Sequence, residues 1–384
     1  MQGPVRVTLQ LGVPMLFHKA ICATAALSLA ALASVGLARA ADLPVKAAKP
    51  VKDLPFFLVI DDRITYSYQF RATDPGAFSL KPGGNGFNGN TAKQVYSFTH
   101  FDVWGYGTNF FTISALKSDH NDPASPCIGF TTTSTQNSAS VNGGNTVCAG
   151  ATEFYGLFRS TFGGNEIFGT KMFSMGPLHN ISFEIGADIE GENTYLAPAK
   201  RDVVAGLQFA FDLPYKGYLN VAPLAYKEIN HNSFDSCASV FQQPGIPGVT
   251  CLTDGNTDFK WTWAVEVNYY MDLGFLPENA QFFAISGRAG WYGPKGDSNA
   301  PLTGIMPSKT ELNSEPIRLT FDASKAMWGA KYTHFVDLWV GWRYWQNKFG
   351  LDHNSSVNGI CAVNGVSTHT CTEQTVNAGV TVKF

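Results

Sequence analysis

Two side chains in this sequence have the types and the spacing of a proton-transfer pair. His100 and Asp102 are separated by one residue, so on an extended strand they lie on one face, where a carboxylate can orient an imidazole that acts as a general base. The sequence contains no G-x-S-x-G nucleophile motif beside them. A barrel hydrolase that uses His100 and Asp102 is therefore one hypothesis, although such a pair arises easily by chance.

A second candidate motif is glycine-rich. The segment from Gly84 to Gly89 satisfies G-x-G-x-x-G, which binds a dinucleotide only where a strand leads in and a helix N-terminus follows. From Thr91 onward the chain enters another strand-like segment, so we interpret the motif as a loop. No cofactor is expected.

Cysteines make up the third group. Of seven, Cys22 lies in the apolar N-terminal run, and the other six fall into close pairs: Cys127 with Cys148, Cys237 with Cys251, and Cys361 with Cys371. Pairing within each group would close three separate loops, each stabilised by about 2–4 kcal/mol in an oxidising compartment. Proximity alone supports this connectivity. No C-x2-C spacing is present, so a metal site is not expected.

The N-terminus has the form of a secretory signal. An apolar run from Ala20 to Leu37 follows His18 and Lys19 and precedes Ala38-Arg39-Ala40, which predicts cleavage after Ala40. The alternative is a membrane anchor. Met1 or Met15 could be the true start. The predicted organisation is a signal peptide (1–40), a Pro/Lys-rich periplasmic leader (41–55) and one domain (56–384).

The composition restricts the class of that domain. Charged residues are 15% and hydrophobic residues 45% of the 384 residues, against about 25% charged in an average soluble chain. The net charge of −3 provides no cationic field for nucleic acid. Apart from the N-terminal run, the apolar residues do not form runs long enough for membrane helices.

The apolar residues instead recur at every second position. Alternation is strict from Phe259 to Leu273 and continues to the final residue in Val376 to Phe384. This period predicts membrane-spanning β-strands. Twelve strands are predicted, at 56–72, 93–104, 109–118, 152–162, 178–191, 202–213, 218–231, 258–274, 281–293, 314–324, 331–348 and 373–384.

Connection lengths predict the topology of an all-β transmembrane antiparallel barrel. Short turns should be periplasmic, with a short helical turn in each of 163–177 and 325–330, and long extracellular loops should carry the cysteine pairs. The polar residues that alternate with the apolar ones along each strand should then face the lumen. Its candidate solute-binding residues are Tyr155, Arg159, Glu184, Glu266, Tyr270, Arg288, Arg318, Trp339 and Arg343. The alternative is that these charges pair with one another and fill the interior.

A family resemblance comes from two patches. The segment His100 to Phe111, followed by Glu153-Phe154-Tyr155-Gly156, resembles the start of the nucleoside-specific outer-membrane channels (the Tsx-like family), and the stretch from Phe183 to Tyr226 is also similar to them. The resemblance implies a twelve-stranded barrel that binds nucleosides weakly through lumenal aromatic and ionisable residues. The cysteine-containing loops depart from that pattern.

The C-terminus is similar to that of bacterial outer-membrane barrels generally. Phe384 closes an alternating strand, and in those proteins the assembly machinery recognises such a terminal aromatic. We therefore expect a non-enzymatic channel in the outer membrane of a Gram-negative bacterium, in contact with its lipid and selective for small polar solutes, with nucleosides as the expected substrate. A general porin and a barrel hydrolase are the alternatives.

Overall fold

The computed structural model describes residues 55–82, 86–125, 149–194, 199–231, 257–296, 309–356 and 360–384. The predicted signal peptide and nearly all of the leader lie outside these residues. Twelve long strands occupy most of the described chain: β1 Phe57–Thr73, β2 Asn90–Trp104, β3 Gly107–Ser118, β4 Thr152–Gly163, β5 Leu178–Glu192, β6 Ala199–Leu213, β7 Gly217–His231, β8 Thr262–Asp272, β9 Phe283–Tyr292, β10 Glu311–Asp322, β11 Val336–Gln346 and β12 Thr372–Lys383.

These strands form a closed antiparallel barrel. Each strand pairs with the next along the chain, and β12 pairs with β1 from Arg63↔Lys383 to Gln69↔Asn377. Closure leaves neither of these two strands as an exposed edge. The predicted fold class and strand number are confirmed.

Contacts between distant strands define the inside of the barrel. Arg159 on β4 hydrogen-bonds Glu266 on β8, and strands that are not neighbours can meet only across the lumen. The neighbouring positions on β4, such as Phe154 and Phe158, are exposed and face outward because successive side chains alternate. The outer surface is mainly apolar over the described strands, with exposed Ile113, Ile189, Val203, Leu207, Trp263, Leu319, Val340 and Val376 among its members.

The two ends of the barrel differ. At one end, here called the short-turn end, the strands are joined by tight turns and two short helices, α1 (Gly164–Phe168) and α2 (Ala323–Trp328), as the sequence predicted. Asp322 caps α2 by accepting a hydrogen bond from the backbone N–H of Lys325. The described residues at this end also form 3₁₀ turns at Glu278–Ala280 and Ala330–Tyr332, and a further one at Lys348–Gly350 lies at the opposite end. Among the described residues, no helix has both the length and the apolar character needed to cross a membrane.

The opposite, long-loop end carries the longer connections. Within them, short strands pair at Ser79–Leu80 with Phe87–Asn88 and at Ala362–Val363 with Val366–Ser367. The described part of the G-x-G-x-x-G segment, residues 86–89, therefore contains a short loop strand and no helix. Cys361 and Cys371 form the expected disulfide. Cys127, Cys148, Cys237 and Cys251 lie outside the described residues.

Two predicted strands are too long. The segment predicted at 258–274 is interrupted: Thr257–Asp258 pairs with β7, and β8 begins only at Thr262. Between the two parts Phe259 is fully buried, and the backbone N–H of Lys260 donates to the carbonyl of Lys295. The segment predicted at 331–348 begins at Val336, because His334 adopts a left-handed conformation with φ of 57°. A strand cannot continue through that conformation.

We expect the Cys361–Cys371 disulfide to stabilise the barrel. The two residues are 10 apart in sequence, so replacing both by Ser should lower the free energy of unfolding by about 2–4 kcal/mol, the effect of opening a short closed loop. Urea titration followed by tryptophan fluorescence measures this. Peptide mapping without reduction that found Cys361 joined to any cysteine other than Cys371 would contradict the pairing.

Candidate functional site in the barrel lumen

The centre of the lumen is organised around Arg159. Its Nη2 and Nε atoms lie 2.7 and 2.9 Å from the two carboxylate oxygens of Glu266, and its Nη1 atom lies 2.6 Å from Asp188. Glu184 is 3.9 Å away. A Cβ atom at Gly186 would lie 2.5 Å from Arg159 Cδ, so only glycine leaves room for the guanidinium there. The result is one buried cation held by three carboxylates from two walls.

Two tyrosines extend this cluster. Tyr155 donates a hydrogen bond to Asp188 at 3.1 Å, and Tyr292 donates one to Glu266 at 3.0 Å. Four of the predicted lumenal residues, Tyr155, Arg159, Glu184 and Glu266, therefore belong to a single network. This network holds its own side chains in position, because each hydroxyl and each guanidinium N–H in these contacts already has an acceptor.

Toward the long-loop end the lumen contains further paired charges. Lys295 and Tyr226 both donate hydrogen bonds to Glu228, and Lys200 lies 3.4 Å from Asp202. On the other side, Glu373 accepts hydrogen bonds from Lys348 at 3.0 Å and from Arg343 at 2.7 Å, and Lys93 pairs with Asp74 and Glu153. Many of these side chains are buried, as the hypothesis of a charge-filled interior expects.

A small cavity of about 30 Å³ lies within this half of the barrel. Its lining is mainly charged and includes Gln69, Asp74, Lys93, Glu190, Glu192 and Arg343. A cavity of this size holds a water molecule or two, which shows how closely the paired charges fill this part of the lumen.

The wall formed by β10 and β11 is aromatic and basic. Arg318 lies over the ring of Trp339, with Cζ 3.8 Å from the ring centroid, and its Nε donates a hydrogen bond to Glu315 at 2.6 Å. A Cβ atom at Gly379 would lie 2.5 Å from the Trp339 ring, so the ring rests on backbone on one side. Arg318 and Gly379 thus occupy the surfaces on which a solute could have stacked.

Arg288 differs from the other predicted arginines. It stands opposite Asn268 on β8 and Glu315 on β10, and it is exposed to the lumen. No ion pair within the described ranges includes it, because Glu315 bonds Arg318 instead. Its guanidinium is therefore able to contact a solute.

An aromatic pair marks the short-turn end of the lumen. Tyr218 and Tyr270 are stacked, with centroids 6.2 Å apart and planes inclined by 21°. The Tyr270 hydroxyl donates to Asp272 at 2.6 Å and lies 2.9 Å from His334 Nε2, while His334 Nδ1 lies 3.0 Å from Asp337. Tyr218 and His334 were not among the predicted site residues. Register could have revealed Tyr218, which pairs with Tyr270, but nothing in the sequence indicates His334.

Among the described residues, two groups of side chains have the types that hold a divalent cation. The oxygen and nitrogen ligands of Asp322, His334 and Asp337 lie within 4.8 Å of one another. Each already has a structural role, since Asp322 caps α2 and accepts the backbone N–H of His334, and Asp337 contacts His334. In the second group, Asp74, Glu153 and Glu192, the ammonium of Lys93 supplies the positive charge.

His100 and Asp102 do not face the lumen. Lys93 lies in the lumen beside Glu153, and β2 continues from Lys93 without a register shift against β3, so His100 and Asp102, of opposite parity, face outward. His100 Nδ1 lies 2.6 Å from Asp62, and its Nε2 lies 3.1 Å from Asp102. Both ring nitrogens therefore contact carboxylates, and neither contacts a hydroxyl nucleophile.

Comparisons with known proteins give weak likenesses to outer-membrane barrels. No protein-family model matches the chain, and no curated protein sequence matches it. Among solved structures, an outer membrane channel from Pseudomonas putida F1 is similar with a TM-score of 0.38 and 9% identity, over 88% of this chain and 100% of that one. OccAB1 of Acinetobacter baumannii is similar with a TM-score of 0.27 and 8% identity, over 86% and 97% of the two chains. OpdK of Pseudomonas aeruginosa gives 0.26 and 8%, over 85% and 98%.

We predict that Arg159→Gln lowers the free energy of unfolding by about 3 kcal/mol, because buried carboxylates lose their cation. Urea unfolding from lipid vesicles measures the change. Arg71→Gln is the matched control, since Arg71 is exposed at the long-loop end. Adding Glu266→Gln to Arg159→Gln should recover part of the loss. Equal effects of Arg159→Gln and Arg71→Gln would contradict the role of the central ion pair.

Two histidines outside the strands, His334 and His353, should titrate on opposite sides of the ordinary imidazole value of 6.5. Burial opposes charge on His334, but the hydrogen bond to Asp337 and the nearby Asp322 and Asp272 raise its pKa. Burial lowers the pKa of His353. NMR titration of isotope-labelled histidine measures both. The stabilisation from His334 should be complete below pH 6.5 and disappear as the pH rises through the raised pKa. Loss of that pH dependence in His334→Gln is the expected control; a pKa of His334 below 6.5 would contradict the prediction.

Proposed function

We propose that this protein is a passive, substrate-selective channel of the bacterial outer membrane. One observation carries the proposal: a closed antiparallel barrel has an apolar outer surface and a polar lumen in which charges from non-neighbouring strands meet. In a bilayer, such a closed sheet satisfies its own backbone hydrogen bonds and presents apolar side chains to lipid. A water-soluble protein has no physical reason to expose so many large apolar side chains.

The proposed orientation follows from the two barrel ends. Outer-membrane barrels have short periplasmic turns and longer extracellular loops, so the short-turn end would be periplasmic. The start of the first strand, at Phe57, and the end of the last strand, at Lys383, both lie at that end. The Cys361–Cys371 disulfide then lies on the extracellular side, in an oxidising environment.

Nucleosides are the proposed solutes. The stacked Tyr218 and Tyr270 offer aromatic surface at the short-turn end, where Tyr218 is 45% exposed, and Asp272, His334 and Asp337 provide hydrogen-bonding groups beside it. A nucleobase can stack on such rings while sugar hydroxyls bond to the polar groups. Contacts must stay weak, because a tightly bound solute does not leave a channel. The resemblance to the Tsx-like family supports the same solute class.

The hydrolase alternative receives no geometric support. A general base must reach the hydroxyl whose proton it takes, whereas both nitrogens of His100 contact carboxylates. Ser160, on the same outer face, donates its hydroxyl proton to Asn109. The alternative of a general porin for other small solutes differs from the nucleoside channel only in selectivity.

Liposome swelling distinguishes the two channel hypotheses. Vesicles containing the protein should swell faster in nucleosides than in sugars of equal size, because only the nucleosides stack on tyrosine. Tyr270→Leu should remove this preference and leave sugar flux nearly unchanged.

Tyr344→Leu is the matched control. Tyr344 is two residues from Trp342 on β11, so both side chains lie on the outer face of the barrel, where they stack. Equal swelling rates of the wild-type protein in nucleosides and sugars would leave a general porin. A planar bilayer without conductance would contradict the channel itself.

A further inference from the structure

A group of polar side chains interrupts the apolar outer surface. Asp62, His100, Asp102, Asn109 and Ser160, here called the outer polar group, lie on neighbouring strands β1 to β4. Asp62 is paired with His100, Asp102 with Asn109, and Asn109 with Ser160 in the strand registers. Ser160 is outward because it neighbours inward Arg159, and the registers give the other members the same face. None of them contributes to the lumen.

Hydrogen bonds join all five residues. Ser160 donates to Asn109 at 2.7 Å, Asn109 donates to Asp102 at 3.0 Å, and His100 lies between Asp102 and Asp62 at 3.1 and 2.6 Å. Both nitrogens of His100 face acceptors, which a doubly protonated imidazole satisfies. With two carboxylates and one imidazole, the group carries a net negative charge in either protonation state of the ring.

Apolar residues border this group on both sides. Toward the middle of the barrel, Ile64 and Phe98 form the next outward pair. Toward the short-turn end, Ile60 lies opposite Asp102, and Phe162 and Phe183 are paired on the next row. The outer polar group therefore lies within the apolar belt and not beyond it. A charged group in such a position is unfavourable unless it is paired.

One carboxylate of the group is open to the bilayer. The Asp62 side chain is 26% exposed and that of His100 21%, whereas Asp102 is 4% exposed. Asp62 binds His100 through Oδ1, and its Oδ2 accepts no hydrogen bond from the side chains that the structure describes. The remaining members hold His100 and Asp62 in place. The outward face thus offers a negative hydrogen-bond acceptor that lacks a donor.

From this geometry we propose that the outer polar group binds the primary ammonium headgroup of a phospholipid in the periplasmic leaflet. An ammonium group compensates the net negative charge and donates an N–H to Asp62 Oδ2 in a charge-assisted hydrogen bond. The height of the outer polar group along the barrel suits a headgroup. Only one row of outward-facing residues separates its position from that of the aromatic residues at the short-turn end. The acyl chains then pack on the apolar surface that begins with Phe98. This site rests on the proposed membrane location and not on the solute carried.

A second copy of the chain is the other possible occupant, and charge disfavours it. In a two-fold interface the same patch meets itself, so two groups of net negative charge would face each other. A quaternary ammonium headgroup has the right charge but no N–H to donate. The outer polar group is therefore expected to distinguish primary from quaternary ammonium lipids.

Native mass spectrometry tests this site. The protein is reconstituted in vesicles of equal parts phosphatidylethanolamine and phosphatidylcholine, extracted in mild detergent, and the retained lipids are counted. The wild-type chain should retain phosphatidylethanolamine over phosphatidylcholine by about tenfold, the difference made by one net charge-assisted hydrogen bond. N-methylated ethanolamine lipids should be retained progressively less as their N–H groups are replaced.

The variant Asp62→Asn should abolish the preference and leave channel conductance unchanged, because Asp62 does not face the lumen. Gln94→Ala is the matched control: Gln94 is another exposed polar residue on the outer face of β2, and its loss should leave lipid retention as in the wild type. Bilayer conductance of each variant verifies that it has inserted.

Three results would overturn the lipid site. The first is equal retention of both lipids by the wild-type chain, a measurement that depends on no variant. The second is equal loss of preference in Asp62→Asn and Gln94→Ala. The third is an oligomer that Asp62→Asn dissociates without any change in lipid retention, which would assign this face to an interface between copies. A wild-type chain that retains phosphatidylethanolamine but does not conduct would refute the proposed channel and support the lipid site.

Discussion

The pairing of β12 with β1 is the constraint on which the rest of the structure depends. Seven residue pairs, from Arg63↔Lys383 to Gln69↔Asn377, join the two ends of the sheet. Without this seam the first and last strands would each present unpaired backbone groups, which an apolar environment does not tolerate. With it, every side chain of the twelve strands is assigned either to an enclosed lumen or to the outer surface. The distribution of apolar and charged residues follows from that division.

The lumen shows how the enclosed charges are accommodated. Arg159 is neutralised by carboxylates from both β5 and β8, and Glu373 by Lys348 and Arg343. Such pairing stabilises charges in a confined space and narrows the path that remains for solutes. Exposed groups such as Arg288 and Tyr218 are then the ones free to meet a passing molecule. Selectivity would depend on these few positions more than on the abundant ion pairs.

The outer surface has its own exception to the division into polar and apolar faces. If every polar residue of a strand faced inward, His100 and Asp102 would lie in the lumen. They would then be interpreted as part of a channel or as a catalytic pair. The uninterrupted register between β2 and β3 places them outside. A hydrogen-bonded chain of five residues makes this position tolerable, and a negatively charged acceptor on the outer surface gives it a specific chemical property.

Alternation along the chain by itself determined the fold class, the number of strands and the lumenal parity of residues such as Tyr155, Arg159 and Arg318, because a period of two residues is a local property of an extended backbone. Local spacing also indicated the Cys361–Cys371 pair. Only the tertiary structure decided which inward charges meet, why Trp339 lies under Arg318, and that Arg288 forms no ion pair with the described residues. These depend on strand stagger and on distances across the barrel, between residues more than a hundred positions apart such as Arg159 and Glu266. The sequence specifies the two faces of each strand, but closure of the sheet determines what each face contacts.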